Sequence, residues 1–284
     1  MAPVSCQSQS GKHRFLYLLY FLLPTRCGRL SPSCKQGGNP AIARQNQTRY
    51  NESNHGYEIT RRRVLKLAHL ALQGVCYTAD HREILHDISI DFEAGDFVSI
   101  VGPSGSGKST LLKLCCHLIS PTQGSIFLDG ADIMQQNPTE LRRRVAYCFQ
   151  TPVLFGKTVE ENMRFPYAIR RLPPDFDHIR RLFEQFEMNE TFLNQPVHNL
   201  SGGEKQRIAL IRTLLFQPEI LLLDEITSAL DIENTKIVEN AVTGLNSRGV
   251  TVLWVTHNPE QSRKYARKLL TVADGTLQSL EVLR

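Results

Sequence analysis

Apolar and polar positions alternate along KLAHLALQGVCY, Lys66 to Tyr77, with the period of two that turns one face of a β-strand towards a core. ILHDISIDF continues in the same manner, Gly95 marks a turn, and Phe97 to Val101 is a short apolar run that predicts a buried strand. GSIFLDG, bounded by glycines, predicts another strand. Residues 158–200 become helical in pattern, polar and punctuated by proline, with no strong strand run. Two unbroken apolar runs follow, EILLLDE (Glu219 to Glu225) and GVTVLWVTHN (Gly249 to Asn258), of the kind found when helices cover both faces of a sheet. LLTVADGTLQSL closes with a hairpin around Asp274–Gly275. This order predicts an α/β fold with an antiparallel β portion early and a helical insertion at about residues 151–205.

Before Val64 no such period is present. Residues 1–63 are rich in Ser, Gln, Asn, Gly and Arg and hold 10 Lys+Arg against 2 Asp+Glu, while the other 221 residues hold 23 against 26. The net charge of +5 therefore belongs to this arm, and it gives no reason to expect nucleic-acid binding by the folded part. The arm's apolar run FLYLLYFLL, Phe15 to Leu23, follows Lys12 and Arg14 like the core of a signal peptide. It is too short to span a bilayer as a helix, and no small-x-small cleavage site follows. We expect residues 1–63 to be a disordered or over-extended N-terminal arm and residues 64–284 to form the folded region. The cysteines, Cys6, Cys27, Cys34, Cys76, Cys115, Cys116 and Cys148, show no CxxC or Cys/His spacing, so those in the folded region read as buried thiols rather than zinc ligands.

Between the strand Phe97–Val101 and the helical run KSTLLKLCCHLI lies GPSGSGKST, Gly102 to Thr110, which fits G-x-x-x-x-G-K-[ST] throughout. Gly102, Gly105 and Gly107, with Pro103, Ser104 and Ser106 between them, let the backbone wrap closely around phosphates and offer N–H donors. Lys108 supplies a cation for the β/γ oxygens, the Ser109 hydroxyl is a ligand for Mg²⁺, and Thr110 completes the motif. ILLLDE ends a buried strand on two adjacent acids. Neighbours on a strand face opposite ways. Where the chain leaves the sheet, however, Asp224 can reach the metal while Glu225 faces the γ-phosphate and orients a water. A solvated acidic turn is the plainer alternative, and the phosphate loop weighs against it.

LSGGEKQRIALIRTLL, Leu200 to Leu215, reads as a helix that Ser201 caps and whose first turn Gly202 and Gly203 strip of side chains. It is a second anion-binding end. One phosphate loop covers only one side of a triphosphate. If two copies pair head to tail under two-fold symmetry, the LSGG end of each faces the loop of the other, and hydrolysis of the buried ATP loosens the pair.

LSGGEKQ, the phosphate loop, ILLLDE, SALD (Ser228 to Asp231), Gln150 and His257 together resemble an ABC-type ATPase domain over about residues 64–284. The resemblance implies a P-loop NTPase core with an antiparallel β subdomain and an inserted helical subdomain, and ATP with Mg²⁺ as ligands. It implies that Tyr77, 25 residues before Gly102, stacks on adenine, against the plainer reading of a strand-face tyrosine. Gln150, in YCFQTPVLF, would meet the metal and the water and link to a membrane partner, against that of a polar loop residue. Ser201, Gly202 and Gly203 would cap the ATP of a second copy, Asp231 would communicate between the two sites, and His257 would contact the γ-phosphate. The arginines of LRRRV, Leu141 to Val145, read as a solvated face near a strand edge.

More narrowly, YCFQTPVLFGKTVEENMRFP, LSGGEKQRIALIRTL, LLLDEITSALD and LWVTH resemble the Fet-type bacterial iron-export ATP-binding family, with ITSALD in place of PTSALD or ATSALD favouring it. That implies iron export through a separate multi-span permease, and a peripheral position on the cytoplasmic face of the inner membrane. The docking segment would be Thr151 to about Arg171. The basic arm departs from the family. A soluble mechanochemical ATPase acting on DNA or ribosomes is the alternative from another class. DNA-repair relatives, however, carry long coiled coils between the loop and LSGG, where Gly102 and Leu200 are 98 residues apart here, and translation relatives carry two cassettes in one chain. A simple P-loop kinase would leave LSGGEKQ and SALD unexplained. Importers and other exporters stay open.

Overall fold

The structure, a computed structural model, describes residues 69–283. The arm, and with it the expectation for residues 1–63, lies outside the described residues. The predicted early strands are β1 (Leu70–Ala79), β2 (Arg82–Phe92), β3 (Phe97–Val101) and β4 (Gln123–Leu128), and a short β5 (Ala131–Asp132), not predicted, follows them. The later predicted ones are β7 (Ile220–Asp224), β8 (Thr251–Val255), β9 (Lys268–Ala273) and β10 (Thr276–Val282), and β6 (Val145–Cys148) is a strand the sequence reading did not predict. Two sheets result among the described residues. One is antiparallel, in the order β2-β1-β4-β5; the other runs β10-β9-β3-β8-β7-β6, parallel except for β10 at its edge. The fold is α/β, as the resemblance implied.

The unbroken apolar runs are buried on both faces, with the alternation that a strand imposes. Ile220 and Leu222 of β7 enter one core with Leu253, Val255, Val98 and Ile100. Leu221 and Leu223 enter the other with Val252, Trp254 and Phe97. The first core also holds α1 (Lys108–Cys115) and the inner face of the antiparallel sheet, including Leu70, Leu72, Leu85 and Ile126. The second holds α3 (Val159–Ile169), α4 (Phe176–Gln185), α5 (Gly202–Leu214) and α6 (Ile232–Ser247), through Met163, Phe183, Ile208 and Val242. Removing so much aliphatic surface from water is the main stabilising contribution. Residues 159–199 hold helices and 3₁₀ turns. Pro166 lies inside α3 rather than ending it.

The arginine run corrects its expected role. Leu141–Arg144 is the end of α2 (Pro138–Arg144), immediately before β6. Arg144 pairs with Asp129 and with Glu219, whose Oε2 lies 2.6 Å from Nη2, and Asp129 also meets His69 Nδ1 at 2.8 Å. Arg142 Nη1 donates to the His117 carbonyl (3.1 Å). Two of the three arginines therefore hold elements together, and Arg143, paired with Glu140, matches the solvated reading.

The parallel ladder places three strand ends side by side. Ile100 and Asp224 both pair in register with Val255, so Gly102, Glu225 and His257 emerge together at the C-terminal edge of the sheet. This is where open α/β sheets bind ligands. Close packing fixes the loop there. Gly102 has φ 146, and a Cβ on it would lie 1.9 Å from the Val272 carbonyl oxygen. A Cβ on Gly107 would lie 2.5 Å from Leu85 Cδ2. Gly102→Ala is expected to destabilise the fold by about 2–4 kcal/mol. Denaturant unfolding measures it, and a change below ~0.5 kcal/mol would show that the loop has room to move.

Candidate functional site

The loop Gly102–Gly107 ends at the N-terminus of α1, whose N-cap, Gly107, has a left-handed conformation and no side-chain cap. The first N–H groups of α1 are thus left for an anion. Lys108 is buried, and its Nζ donates to the Gly102 (3.0 Å) and Pro103 (2.7 Å) carbonyls, so the ammonium lies along the loop. Burial lowers its pKa, and the carboxylates of Glu225 and Asp224 act in the opposite direction. Pro103, Ser104 and Gly105 are exposed at the tip, and Thr110 is half-buried in α1. The Ser106 hydroxyl is buried with no partner, a polar atom aimed into the loop that a ligand oxygen would satisfy.

Opposite the loop, β7 ends on Asp224. Its Oδ1 accepts from the Ser109 hydroxyl (2.7 Å) and its Oδ2 from the Tyr147 hydroxyl (2.6 Å). Glu225 follows at φ 49, in the left-handed region, with its N–H donating to the Val255 carbonyl (3.0 Å). Its Oε2 accepts from Gln150 Nε2 (2.8 Å), and its Oε1 lies 2.7 Å from His257 Nε2. Lys108, Ser109, Gln150, Asp224, Glu225 and His257, proposed from separate motifs, are thus brought together.

Ser201, Gly202, Gly203 and Asp231 form a second group. Ser201 caps α5 within a reciprocal capping box. Its hydroxyl accepts from the Glu204 N–H (3.2 Å), and the Glu204 carboxylate accepts from the Ser201 N–H (2.7 Å). Asp231 caps α6 by accepting from the Asn234 N–H (2.8 Å), and Asn234 Nδ2 donates back to Asp231 (2.7 Å). Asn234 also packs on Gly203, where a Cβ would lie 2.8 Å from its Cγ. Around Gly202 a Cβ would meet nothing within 4 Å. Among the described residues no hydrogen bond or ion pair joins this group to the phosphate loop. Tyr77 belongs to neither. It is half-buried on β1, paired with Leu85, whose side chain abuts Gly107.

Sequence reasoning missed Tyr147 and Asn234. Tyr147 is a tyrosine in the fully buried strand VAYC, and a buried hydroxyl needs a partner; that demand was the available signal. Beside Gln150 the structure has a cavity of about 530 Å³. Its lining combines Val153, Phe155 and Ile169 with Arg142, Arg170 and Arg212.

Residues 85–228 match the family model for the ABC transporter. FetA of Escherichia coli (strain K12), described as a probable iron export ATP-binding protein, is 45% identical over 204 residues, covering 72% of this chain and 90% of that protein. The phosphate import ATP-binding protein PstB 2 of Natronomonas pharaonis is 36% identical over 251 residues, 84% of this chain and 87% of that protein. A solved dimeric post-hydrolysis state of the ATP-binding cassette MJ0796, bound to ADP and Pi, is similar at a TM-score of 0.69 and 30% identity, over 76% of this chain and 99% of that chain.

Burial raises the pKa of the Tyr147 hydroxyl, with the Asp224 carboxylate adding to it, so the group stays a donor. Tyr147→Phe leaves the buried Asp224 Oδ2 unpaired and is expected to destabilise the fold by about 1–3 kcal/mol. Urea unfolding checks this, and an unchanged unfolding free energy would mean that Asp224 finds another donor.

Proposed function

The chain belongs to the ABC transporter family and is one of its ATP-binding, ATP-hydrolysing subunits; from that premise we propose that it drives metal export, of iron, through a separate multi-span permease. We further propose that it works as a head-to-tail pair of copies. The observation that carries the reading is the meeting of Ser109–Asp224 and Gln150–Glu225–His257 at the mouth of the phosphate loop.

Each residue has a role in keeping with its contacts. The glycine N–H groups of the loop, the first N–H groups of α1 and the buried Ser106 hydroxyl receive phosphate oxygens, which Lys108 neutralises, while the Ser106 N–H is taken by the Pro103 carbonyl (3.3 Å). Ser109 and Asp224, hydrogen-bonded to each other, and Gln150 offer the oxygen ligands that suit Mg²⁺. When bound, the metal neutralises charge on the phosphate oxygens. Glu225 orients and polarises the attacking water, and Gln150 and His257 hold its two oxygens apart and aimed. Tyr77 stacks on the base. Ser201, Gly202 and Gly203, exposed or half-exposed and open at Gly202, close over the γ-phosphate of a second copy, with Asp231 beside them.

Support for iron comes from the FetA relative; a phosphate import ATP-binding protein also stands among the relatives, and substrate is the feature that likeness of fold carries over least. The permease docks through Thr151 to about Arg171. The adjoining cavity offers it apolar contacts and guanidinium groups. No helix of the described residues is long and apolar enough to cross a membrane, in keeping with a peripheral subunit at the cytoplasmic face. The ATPase domain spans residues 64–284, with its helical subdomain at about 151–205.

Glu225→Gln is expected to bind ATP, to lose turnover by at least ~100-fold, and to accumulate the paired, nucleotide-filled state. Lys108→Ala weakens nucleotide binding itself. Ser201→Arg leaves binding to the single chain nearly intact and blocks turnover, because the bulky cation enters the partner's phosphate site. Calorimetry and steady-state hydrolysis separate these outcomes. Equal losses of ATP affinity in Ser201→Arg and Lys108→Ala contradict the two-chain site.

A further inference from the structure

Behind Glu225 and His257 lies a buried polar cluster that the chemistry above does not use. Gln261, on α7 (Pro259–Lys264), is 4% exposed. Its Oε1 accepts from the Thr256 hydroxyl (2.5 Å) and from the Thr227 hydroxyl (3.3 Å). Its Nε2 donates to Glu239 Oε1 (2.8 Å), on α6. Glu239 is buried as well, and its Oε2 accepts from the Tyr265 hydroxyl (2.7 Å), with Lys264 Nζ at 3.9 Å. Asn258 anchors the start of α7: its Oδ1 accepts from the Gln261 N–H (3.2 Å), and its own N–H donates to Thr256 Oγ1 (3.1 Å).

Thr227 stands two residues after Glu225, and Thr256 immediately before His257. One amide oxygen therefore collects the hydroxyls that flank both members of the Glu225–His257 pair. The cluster is directional. A carboxylate only accepts, so it takes the donor end of the Gln261 amide and turns the acceptor end towards the two threonines. The helix that carries Glu239 begins at Asp231 and packs on Gly203 through Asn234, so the same rigid element reaches from the tip of α5 to this cluster.

We infer that Gln261 is a positioning residue for ATP hydrolysis: it fixes the two backbone segments that carry Glu225 and His257 at a set spacing against α6. Displacement of either segment lengthens the 2.7 Å contact between the pair and misaims the carboxylate, while the phosphate loop is untouched. The inference rests on the roles proposed above for Glu225 and His257.

The test uses the full chain, with ATP affinity measured apart from turnover. Gln261→Glu sets a second carboxylate against Glu239 and is expected to lower kcat about tenfold with ATP affinity changed by less than ~twofold. The double variant Glu239→Gln/Gln261→Glu exchanges amide and carboxylate and can keep every bond of the cluster; it is expected to return kcat to within ~threefold of the parent. Thr227→Val, at a half-buried position, keeps the shape, removes one hydroxyl and is expected to lower kcat about threefold at unchanged affinity. Wild-type kcat in Gln261→Glu overturns the inference, as does a double variant that regains thermal stability without regaining kcat. If Gln261→Glu does not fold, Thr227→Val decides, and an unchanged kcat there overturns it. Glu225→Gln run alongside separates the failures: full turnover in that variant refutes the site assignment, whereas lost turnover with an unaffected Gln261→Glu refutes only the positioning role.

Discussion

Adjacent residues on a strand point to opposite faces, yet the proposed chemistry needs Asp224 and Glu225 on the same side of the phosphate loop. The chain meets this demand by ending β7 at Asp224 and turning Glu225 into the left-handed region at φ 49. For a residue with a Cβ that conformation costs about 1–2 kcal/mol. The Glu225 N–H bond to Val255 and the contacts of its carboxylate with Gln150 and His257 offset the cost. Strain of this kind persists only where the surroundings over-determine it. Here they do so from β8, from the loop after β6 and from the buried cluster around Gln261.

Everything that surrounds the strained residue follows from the sheet. Burial of β7 and β8 on both faces fixes their register, since a slip by one residue would exchange the two cores. Register in turn sets Ile100, Asp224 and Val255 abreast, and the residues just beyond those ends form the site. The phosphate loop is held from the antiparallel sheet and from β9, because Gly107 abuts Leu85 and Gly102 abuts the Val272 carbonyl. The apolar pattern thus reaches the chemistry through two steps, strand register and loop packing.

Much of this was legible in the sequence. β3 lies at Phe97–Val101, as its apolar run predicted, and β7 and β8 lie within theirs, since continuous apolar runs between charged and glycine borders leave little choice of register. The loop, the two acids and the capped helix at Ser201 were legible because their residue types are costly anywhere else. What was not legible depends on partners distant in sequence. Tyr147 meets Asp224 across 77 residues and Gln261 meets Glu239 across 22, and neither pairing has a local signature. The arginines of α2 looked like solvent-facing charge because the partners of Arg144, Asp129 just after β4 and Glu219 just before β7, are distant in sequence. Pro166 stays within α3, where tertiary packing overrides its local preference.

Within one copy the phosphate loop and the tip of α5 share no hydrogen bond or ion pair among the described residues, and the proposed two-chain site gives the exposed tip its partner. The most direct measurement mixes copies carrying Lys108→Ala with copies carrying Ser201→Arg, both in a Glu225→Gln background, and counts the ATP retained by the paired fraction after gel filtration. A mixed pair keeps one complete site, so the account predicts about one ATP per mixed pair and none for either variant alone. A pair formed by the Ser201→Arg copies alone that retains as much ATP as the mixed pair would contradict it.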